Sequence, residues 1–225
     1  MEQIKLLELF AGSRSIGKEA EKQGVKVFSS DINAFENIDY VIDINNFDVN
    51  NVPFIPNIIW GSPPCTYFSV ASIGKHWHQN HTPKSKNAMD GVKFVESTLK
   101  IIRHFLILNP NLIFYIENPR GKLRKLPVMQ GLDRTTVWYC QYGDNRAKPT
   151  DIWSNNLKSI FNPNGFEAKT CHNGNTNCHH QSAPRGSQTG TQGLKGSYDR
   201  SKLPNALCEE IIKSAINKIK NLCRY

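Results

Sequence analysis

The chain has 225 residues, 39% of them hydrophobic, and a formal net charge of +9 at pH 7. This length can bury the core of one domain, and the positive charge favours a polyanionic partner such as nucleic acid, although many ordinary proteins carry a similar charge. The sequence shows no secretion signal and no apolar run long enough to span a membrane, so we expect a cytoplasmic protein with reduced cysteines and no membrane partner.

The hydrophobic pattern predicts short strands that alternate with helices. Strands are expected over residues 4–10, 25–30, 40–42, 57–60, 112–116, 135–141 and 150–153. Helices are expected over residues 15–23, 88–108 and 203–219. Apolar residues in the second helix recur with the period of an α-helix. Such alternation predicts an α/β fold with a mostly parallel sheet and helices on both faces.

Two polar segments interrupt this alternation. Residues 66–87 contain three histidines and three lysines, and residues 169–200 are rich in Gly, Asn, Ser and Thr and contain a Cys/His cluster. Connections of this length in a compact domain are usually functional or disordered. We therefore expect a core over residues 1–160, a small Cys/His- and Gly-rich insertion over residues 161–200, and a C-terminal helical segment over residues 201–225 that returns to the core.

Residues with ligand-binding chemistry follow the predicted strands: Gly12, Asp31, Asp43, Cys65 and Glu117. Ligands of an open parallel sheet bind outside the carboxyl ends of its strands, so one crevice can hold all five. A glycine after the first strand lets a ligand approach the backbone. A carboxylate after the second strand suits ribose hydroxyls, and one after the third can accept from an adenine amino group. These residues also have explanations that need no ligand: Gly12 can be a turn residue, and Asp31 and Asp43 can be helix caps.

The stretch GSPPCTYFS, residues 61–69, places Cys65 directly after two prolines and an apolar strand. Proline fixes its own φ and restricts the residue before it, so this approach is stiff. A structural thiol does not need such stiffness. From these residues alone, Cys65 is open as a core residue, a metal ligand or a nucleophile.

Taken in order, these stretches resemble the motifs of the cytosine-carbon-5 DNA methyltransferases, and most of all the short enzymes of phages and prophages. The matching stretches are LLELFAGSRSIGKEAEKQG, SSDINAF and DINNF for the cofactor pocket, GSPPCTYFS for the catalytic cysteine, IENPRG for the Glu-Asn motif and YCQYGDNRAKPTDIW for the Tyr-Gly and Gln-x-Arg region. The resemblance implies a Rossmann-like methyltransferase fold, S-adenosylmethionine as cofactor, and methylation of cytosine carbon 5 in double-stranded DNA.

The resemblance also implies site residues. Catalytic roles fall on Cys65, Glu117, Asn118 and Arg146. The cofactor-binding positions are Phe10, Ala11, Gly12, Ser13, Ser15, Asp31, Ile32, Asp43, Ile44 and Pro63. From the two polar segments we add the nucleic-acid-binding positions Ser69, Lys75, His76, Trp77, Lys84, Arg185, Lys195 and Arg200.

The chemistry of the reaction explains these residue types. Carbon 5 of cytosine is a poor nucleophile, and addition of a Cys65 thiolate at carbon 6 makes it reactive. Glu117 would hydrogen-bond the third ring nitrogen as charge develops there. In the family, the arginine matching Arg146 holds the base, and Asn118 is expected to order the Pro-Cys loop. Because the base lies inside a duplex it must be flipped out, and residues 66–87 are the expected lid, phosphate clamp and source of the cations that lower the thiol pKa. The alternative for this loop is a solvated segment with a partly buried Trp77.

The chain departs from the family pattern at several places. Arg14 stands where the family usually has glycine, Asp31 where glutamate is more common, and Pro119 where valine is common. The family's target-recognition domain is largely missing. The insertion over residues 161–200 is expected to replace it with contacts to phosphates, which give salt-sensitive affinity and little sequence reading.

The insertion contains a Cys/His cluster in which Cys171, His172, Cys178, His179 and His180 lie within ten positions. Cys171, Cys178 and His179 offer two thiolates and an imidazole, which suit tetrahedral zinc. The spacing is not that of a C-x-x-C knuckle. A polar loop with two free cysteines is the alternative.

Three functions stay open. The leading one is DNA (cytosine-5-)-methyltransferase activity, in a phage or restriction–modification setting. The same pocket also suits a carbon-5 methyltransferase of tRNA or of free pyrimidine nucleotides. The third is a non-catalytic nucleic-acid-binding relic, which Arg14 in the cofactor loop favours and the pair of Cys65 and Glu117 disfavours.

Overall fold

A seven-stranded sheet forms the centre of the protein in a computed structural model. The structure describes residues 2–70, 73–181 and 197–222, without the side chains of Ser197 and Arg200. The strands are β1 (Lys5–Leu9), β2 (Lys26–Asp31), β3 (Tyr40–Val41), β4 (Ile58–Gly61), β5 (Ile113–Pro119), β6 (Arg134–Trp138) and β7 (Pro149–Ser154). The α-helices are α1 (Ser15–Lys22), α2 (Ile73–His76), α3 (Lys86–Leu108), α4 (Ser197–Ser201) and α5 (Asn205–Leu222).

The strand order is β3-β2-β1-β4-β5-β7-β6. Neighbouring strands from β3 to β5 are parallel, whereas β7 runs antiparallel to both β5 and β6. The chain moves outward from β1 to β3 and then returns to place β4 on the other side of β1. This reversal makes β1 and β4 the switch point of the sheet, where α/β proteins bind their ligands.

Successive residues of β1 supply two hydrophobic cores, because side chains alternate across a strand. Leu6 packs with residues of α1 and α5, such as Ile16 and Ile211. Leu7 packs on the opposite face with residues of α3, such as Leu99. Both faces of the sheet are therefore buried, which explains the almost continuous apolar runs of the central strands.

The predicted α/β fold with a mostly parallel sheet is confirmed, and one predicted strand is wrong in its second half. The strand expected over residues 135–141 ends at Trp138, and Tyr139–Tyr142 form a 3₁₀ helix. β6 and β7 are the arms of an antiparallel hairpin in which Trp138 pairs with Pro149, so the residues between them form its connection. This turn directs Tyr139 and Cys140 into the protein, where both are buried.

The helix boundaries follow local signals. α3 begins at Lys86, two residues before the prediction, because the Ser85 hydroxyl accepts a hydrogen bond from the amide of Ala88 at 3.2 Å. Within the part of the chain that the structure describes, no helix combines the length and the apolar character needed to cross a bilayer. The predicted division at residues 160 and 200 stays a prediction.

Candidate active site

The loop after β4 carries Cys65 and lies beside the end of β5. Gly61, the last residue of β4, pairs with Ile116 of β5. Glu117 and Asn118 continue β5 by one and two residues and therefore run alongside the segment that leads to Cys65. The parallel pairing of these two strands thus brings the two predicted catalytic motifs together.

Hydrogen bonds fix the backbone on both sides of Cys65. Asn118 Nδ2 donates to the carbonyl of Pro63 at 2.8 Å. The carbonyl of Cys65 accepts from the amides of Phe68 and Ser69 at 3.0 and 3.1 Å. Phe68 itself is fully buried, whereas Cys65 is half-buried. The loop therefore holds a half-buried cysteine in a fixed position.

The chain after β5 packs directly on this loop. A Cβ at Gly121 would lie 2.3 Å from the carbonyl oxygen of Phe68, a backbone atom that cannot turn aside, so only glycine fits there. The amide of Lys122 donates to the same carbonyl at 2.7 Å. The Cys65 loop is therefore held by Gly121 and Lys122 as well as by Asn118.

Glu117 is a buried carboxyl, with only 7% of its surface exposed. Burial raises its pKa, and the Lys148 ammonium and hydrogen bonds from the Tyr139 and Ser62 hydroxyls counter this only in part. The Tyr139 hydroxyl donates to Glu117 Oε1 at 3.3 Å. A carboxyl in this state keeps its proton to a higher pH than usual, which suits a group that donates a hydrogen bond to a base.

Lys148 is the basic group of the site that the sequence reasoning missed. Its ammonium lies 4.7 Å from the centroid of the Tyr139 ring. Burial lowers the pKa of Lys148, and interaction with Glu117 and Cys65 raises it again in part. The connection between β6 and β7 thus supplies a cation near the thiol, and a contribution from the loop over residues 66–87 stays a prediction.

Replacing Lys148 by methionine is expected to raise the pKa of the Cys65 thiol by about one unit, because a nearby positive charge stabilises the thiolate by that order. The rate of Cys65 alkylation by iodoacetamide, measured against pH, gives this value directly. Lys148→Arg is the matched control and should keep the lower value. An alkylation profile of Lys148→Met that equals that of the unaltered protein would contradict this role.

Arg146 lies beside Tyr139, the residue that also contacts Glu117 and Lys148. It is buried and paired with Asp144, whose carboxylate its Nε contacts at 2.9 and 3.0 Å. Its guanidinium carbon lies 5.4 Å from the centroid of the Tyr139 ring. Its Nη2 donates to the carbonyl of Lys202 at 3.4 Å, whereas Nη1 is buried without a partner among the described residues. The contact of Arg146 with a flipped base stays a prediction.

The loop after β1 has an unusual backbone. Phe10, Gly12 and Arg14 have φ of 55°, 49° and 55°, all in the left-handed region. Each non-glycine residue there costs about 1–2 kcal/mol, and such strain concentrates at ligand-binding loops. The amide of Gly12 donates to Asp31 Oδ2 at 3.0 Å, which ties this loop to the end of β2.

The other predicted cofactor positions lie around this loop. The hydroxyls of Ser13 and Ser15 form a hydrogen bond of 2.8 Å. Asp43 Oδ1 accepts a hydrogen bond from the Asn45 amide at 2.9 Å. Ile44 is buried in the core on the α3 side, so its side chain packs inside the protein. Ala11 and Pro63 are also buried.

The residues at the ends of β1 and β2 fit S-adenosylmethionine. The half-buried Asp31 carboxylate has acceptor capacity left for ribose hydroxyls. The next side chain, Ile32, is 62% exposed and offers an apolar surface for a base. A Cβ added at Gly12 would lie 3.8 Å from Ser201 Oγ, an ordinary contact distance, so the end of α4 lies beside this loop.

The side chain of Arg14 lies inside the protein, under the cofactor loop. It is 5% exposed, donates from Nε to the Ser29 hydroxyl at 3.0 Å and pairs with Glu21. Because this hydrogen bond and ion pair hold the Arg14 side chain inside the protein, it does not fill the cofactor pocket. The substitution of the family's glycine therefore gives no support to the reading of the protein as a relic.

Glu8 lies buried under the same loop, where its carboxylate accepts from the Gly17 amide and the Ser29 hydroxyl, each at 3.1 Å. Burial raises its pKa from 4.5 to about 7. The folded protein thus holds this proton more tightly than the unfolded chain. The stability from Glu8 is complete below pH 4.5 and is lost as the pH rises through about 7.

Glu8→Gln is expected to remove this pH dependence. Between pH 5 and 8.5 the free energy of unfolding of the variant should gain about 3 kcal/mol relative to the unaltered protein, from about 1.4 kcal/mol per pKa unit. Urea unfolding at a series of pH values measures the difference. Glu36→Gln, at an exposed glutamate, is the control and should keep the original pH slope. Parallel pH curves for Glu8→Gln and the unaltered protein would contradict the raised pKa.

The chain is similar to a curated protein of Frog virus 3 (isolate Goorha) named "Probable DNA (cytosine-5)-methyltransferase", with 27% identity over 176 residues that make up 75% of each chain. The resemblance to the cytosine-carbon-5 methyltransferases is confirmed. Four of the motifs that carry it lie at the carboxyl ends of β1, β2, β4 and β5. No family model matches the chain.

The chain was also compared with solved structures. The Entamoeba histolytica methyltransferase EhMeth is 15% identical with a TM-score of 0.51, over 76% of this chain and 58% of that one. A Spodoptera frugiperda DNMT2 mutant is 15% identical with a TM-score of 0.44, over 75% of this chain and 54% of that one. The first likeness supports the methyltransferase fold. The chain thus spans little more than half the length of either solved protein.

Two residues of the expected nucleic-acid clamp are packed inside the protein. Trp77 is 4% exposed, stacks near Phe68 at 5.9 Å between ring centroids, and donates from Nε1 to the carbonyl of Tyr67 at 2.6 Å. His76 is 7% exposed and lies 2.7 Å from the Ser85 hydroxyl through Nδ1. Their prediction as contacts for nucleic acid is corrected here to a packing role, since both side chains hold the Cys65 loop against α3.

The remaining clamp residues stay predictions. Lys75 and Lys84 are exposed, and Ser69 is half-buried beside Cys65. Arg185 and Lys195 lie outside the described residues, and the side chain of Arg200 is not described.

The Cys/His cluster differs from its prediction by two ligands. Cys140, Cys171, Cys178 and His180 bring one ligand atom each to within 4.8 Å of one another. His179 is exposed and instead lies 3.1 Å from the Asp144 carbonyl through Nε2. The prediction of His179 is therefore wrong, and Cys140 was missed because it precedes the cluster by 31 positions in the sequence.

Proposed function

We propose that this protein transfers a methyl group from S-adenosylmethionine to carbon 5 of cytosine in double-stranded DNA. One observation carries the proposal: the half-buried Cys65 lies on a loop that Asn118 holds beside the buried carboxyl of Glu117, whose pKa burial raises. The relative in Frog virus 3 is named for this activity. The net charge of +9 favours a nucleic acid over a free nucleotide.

Cys65 begins the reaction as a nucleophile. Its thiolate, stabilised by Lys148, forms a bond to carbon 6 of the flipped cytosine, and the electron pair of the carbon 5–carbon 6 double bond moves into the ring. Glu117 in its protonated form hydrogen-bonds the third ring nitrogen and shares its proton as negative charge develops there. Carbon 5 thereby becomes nucleophilic.

The cofactor's place is supplied by the chain's own residues. The Phe10–Arg14 loop, Asp31 and Ile32 would hold S-adenosylmethionine, which would supply an electrophilic methyl group. After transfer, the proton on carbon 5 leaves to water and its bonding pair restores the double bond. The bond from sulfur to carbon 6 breaks, and Cys65 regains its thiolate.

Arg146 and Tyr139 complete one wall of the proposed base pocket. The buried Nη1 of Arg146 has no partner among the described residues, and Asn118 Oδ1 is likewise buried without one. Buried polar atoms normally have hydrogen-bond partners. We infer that the flipped base, or water that it displaces, satisfies these atoms. A host-cell cytoplasmic location and a phage or restriction–modification setting stay predictions.

A methyl-transfer assay tests the substrate. The protein is incubated with methyl-labelled S-adenosylmethionine and equal masses of duplex DNA, tRNA or deoxycytidine nucleotides, and the products are digested and separated. Label in 5-methyldeoxycytidine from duplex DNA is the expected result. Label only in tRNA or in free nucleotides would replace the proposed substrate. Cofactor binding by calorimetry without label in any product would overturn the proposed reaction, and neither binding nor label would favour the relic.

A further inference from the structure

Four potential zinc ligands converge beside the candidate active site. Cys140 comes from the 3₁₀ helix after β6, and Cys171, Cys178 and His180 come from the segment that precedes residue 182. Tetrahedral zinc with bonds of about 2.3 Å to sulfur and about 2.0 Å to nitrogen places its ligand atoms roughly 3.5–3.8 Å apart. The Cys171 sulfur already lies 3.8 Å from His180 Nδ1, and all four ligand atoms lie within 4.8 Å of one another.

The histidine of this group has the tautomer that a metal ligand needs. His180 Nε2 lies 3.3 Å from the carbonyl of Asn173, and a carbonyl only accepts, so Nε2 carries the hydrogen. Nδ1 is then left with its lone pair facing the sulfurs. A second ring nitrogen that donates to a carbonyl is the usual outer contact of a metal-bound histidine.

The surroundings of the sulfurs also suit thiolates. The side-chain amide of Gln141 points its nitrogen at the Cys178 sulfur at 3.5 Å, and that of Asn175 points at the Cys171 sulfur at 3.5 Å. Hydrogen-bond donors directed at sulfur are the outer contacts that stabilise metal-bound thiolates. Two amide donors and one oriented imidazole thus surround the three cysteines.

We propose that Cys140, Cys171, Cys178 and His180 bind one Zn²⁺ ion in a closed structural site. Four protein ligands leave no open position, so the ion does no chemistry. Binding converts three thiols to thiolates and releases their protons to solvent. The three sulfurs and one nitrogen select zinc over magnesium or calcium, which prefer oxygen.

The ion would hold the connection that carries the catalytic cations. The amide of Gln181 donates to the Asn145 carbonyl at 3.0 Å, one residue after the ligand His180. His179 contacts the carbonyl of Asp144. The zinc-binding segment therefore lies along residues 144–145, directly before Arg146 and Lys148. The segment itself has few apolar residues with which to form a core of its own, and a metal supplies the missing stability.

The test compares adjacent histidines, His180→Ala and His179→Ala, each purified without chelator and without an affinity tag that binds metal. Inductively coupled plasma mass spectrometry of the unaltered protein is expected to give one zinc per chain. His179→Ala should keep it, whereas His180→Ala should weaken zinc affinity by at least about 100-fold, beyond the usual effect of a lost outer contact. His180→Cys should restore binding through a four-cysteine site.

Two further readouts separate the site from the proposed function. Cobalt(II) in place of zinc should give the visible bands of a tetrahedral thiolate site, and chelation should speed amide hydrogen exchange over residues 143–148. Neither depends on methyl transfer. The proposal is overturned if the protein neither contains nor takes up zinc after thiol reduction, if a disulfide joins two of the three cysteines in the natural state, or if His179→Ala loses zinc as His180→Ala does.

Discussion

Cys65→Ala is expected to abolish methyl transfer while leaving cofactor binding unchanged. The nucleophile makes the bond that activates carbon 5, so its loss should lower the rate by at least about 10⁴-fold, the order seen when a catalytic nucleophile is removed. The loop itself should persist, because Asn118 and Phe68 hold its backbone and neither contact uses the thiol. Single-turnover transfer of labelled methyl to DNA measures the rate, and calorimetry measures cofactor affinity.

Cys208→Ala is the matched control, since this cysteine is a buried core residue of α5 and has no part in the proposed reaction. It should cost some stability and keep methyl transfer. A Cys65→Ala protein that methylates DNA within tenfold of the unaltered rate would show that Cys65 is not the nucleophile.

Glu117→Gln is expected to lower methyl transfer by about 10²–10⁴-fold, the usual contribution of a general acid or base. Glutamine keeps the size of the side chain and can still accept from the Tyr139 hydroxyl, but it cannot give up a proton. The folded pKa of Glu117 is raised by burial, so the unaltered rate should fall on the alkaline side as the carboxyl ionises. The variant should lack this fall, which a pH–rate profile shows.

Glu117→Asp provides the matched control for this site. It retains an acid that is one methylene shorter and should keep an alkaline limb with a reduced maximum rate. If Glu117→Gln had the same profile and rate as the unaltered protein, Glu117 would be a structural residue.

The strand-end rule brings the candidate residues together because it depends only on chain order and strand direction. Cys65 follows β4 and Glu117 lies near the end of the neighbouring parallel strand β5, so their proximity follows from the pairing of these two strands. The same rule placed Gly12 beside Asp31, which the hydrogen bond between them bears out. Asn118 was expected to order the Pro-Cys loop, and its bond to Pro63 is the contact that this requires.

The residues that were missed come from a connection whose conformation the sequence pattern does not determine. The apolar run over residues 135–141 predicts a strand throughout, and a strand would have pointed Cys140 and Tyr139 to opposite faces. The hairpin instead closes at Trp138, and the 3₁₀ turn buries both. This turn places Lys148 beside Glu117 and Cys140 beside the distant cysteines. Long-range placements of this kind arise from packing, not from local periodicity.

For the loop over residues 66–87, the sequence overstates how much of the segment is exposed. Its polar composition indicates an exposed clamp, yet Trp77 finds a buried position against Phe68, and His76 follows it inside because the two are adjacent in the chain. Lys75 and Lys84 remain exposed, as the composition suggested. Composition predicted the charge of this loop but not the few apolar anchors that hold it.

Trapping on duplex DNA that contains 5-fluorocytosine tests the central claim most directly. Fluorine at carbon 5 cannot leave as the proton does, so the bond between sulfur and carbon 6 should persist after methyl transfer. We predict a covalent protein–DNA adduct that requires S-adenosylmethionine, maps to Cys65 by peptide mass spectrometry and disappears in Cys65→Ala. An adduct that persists in Cys65→Ala, or no adduct on a random-sequence duplex pool with the cofactor shown to be bound, would contradict a Cys65-dependent DNA methyltransferase.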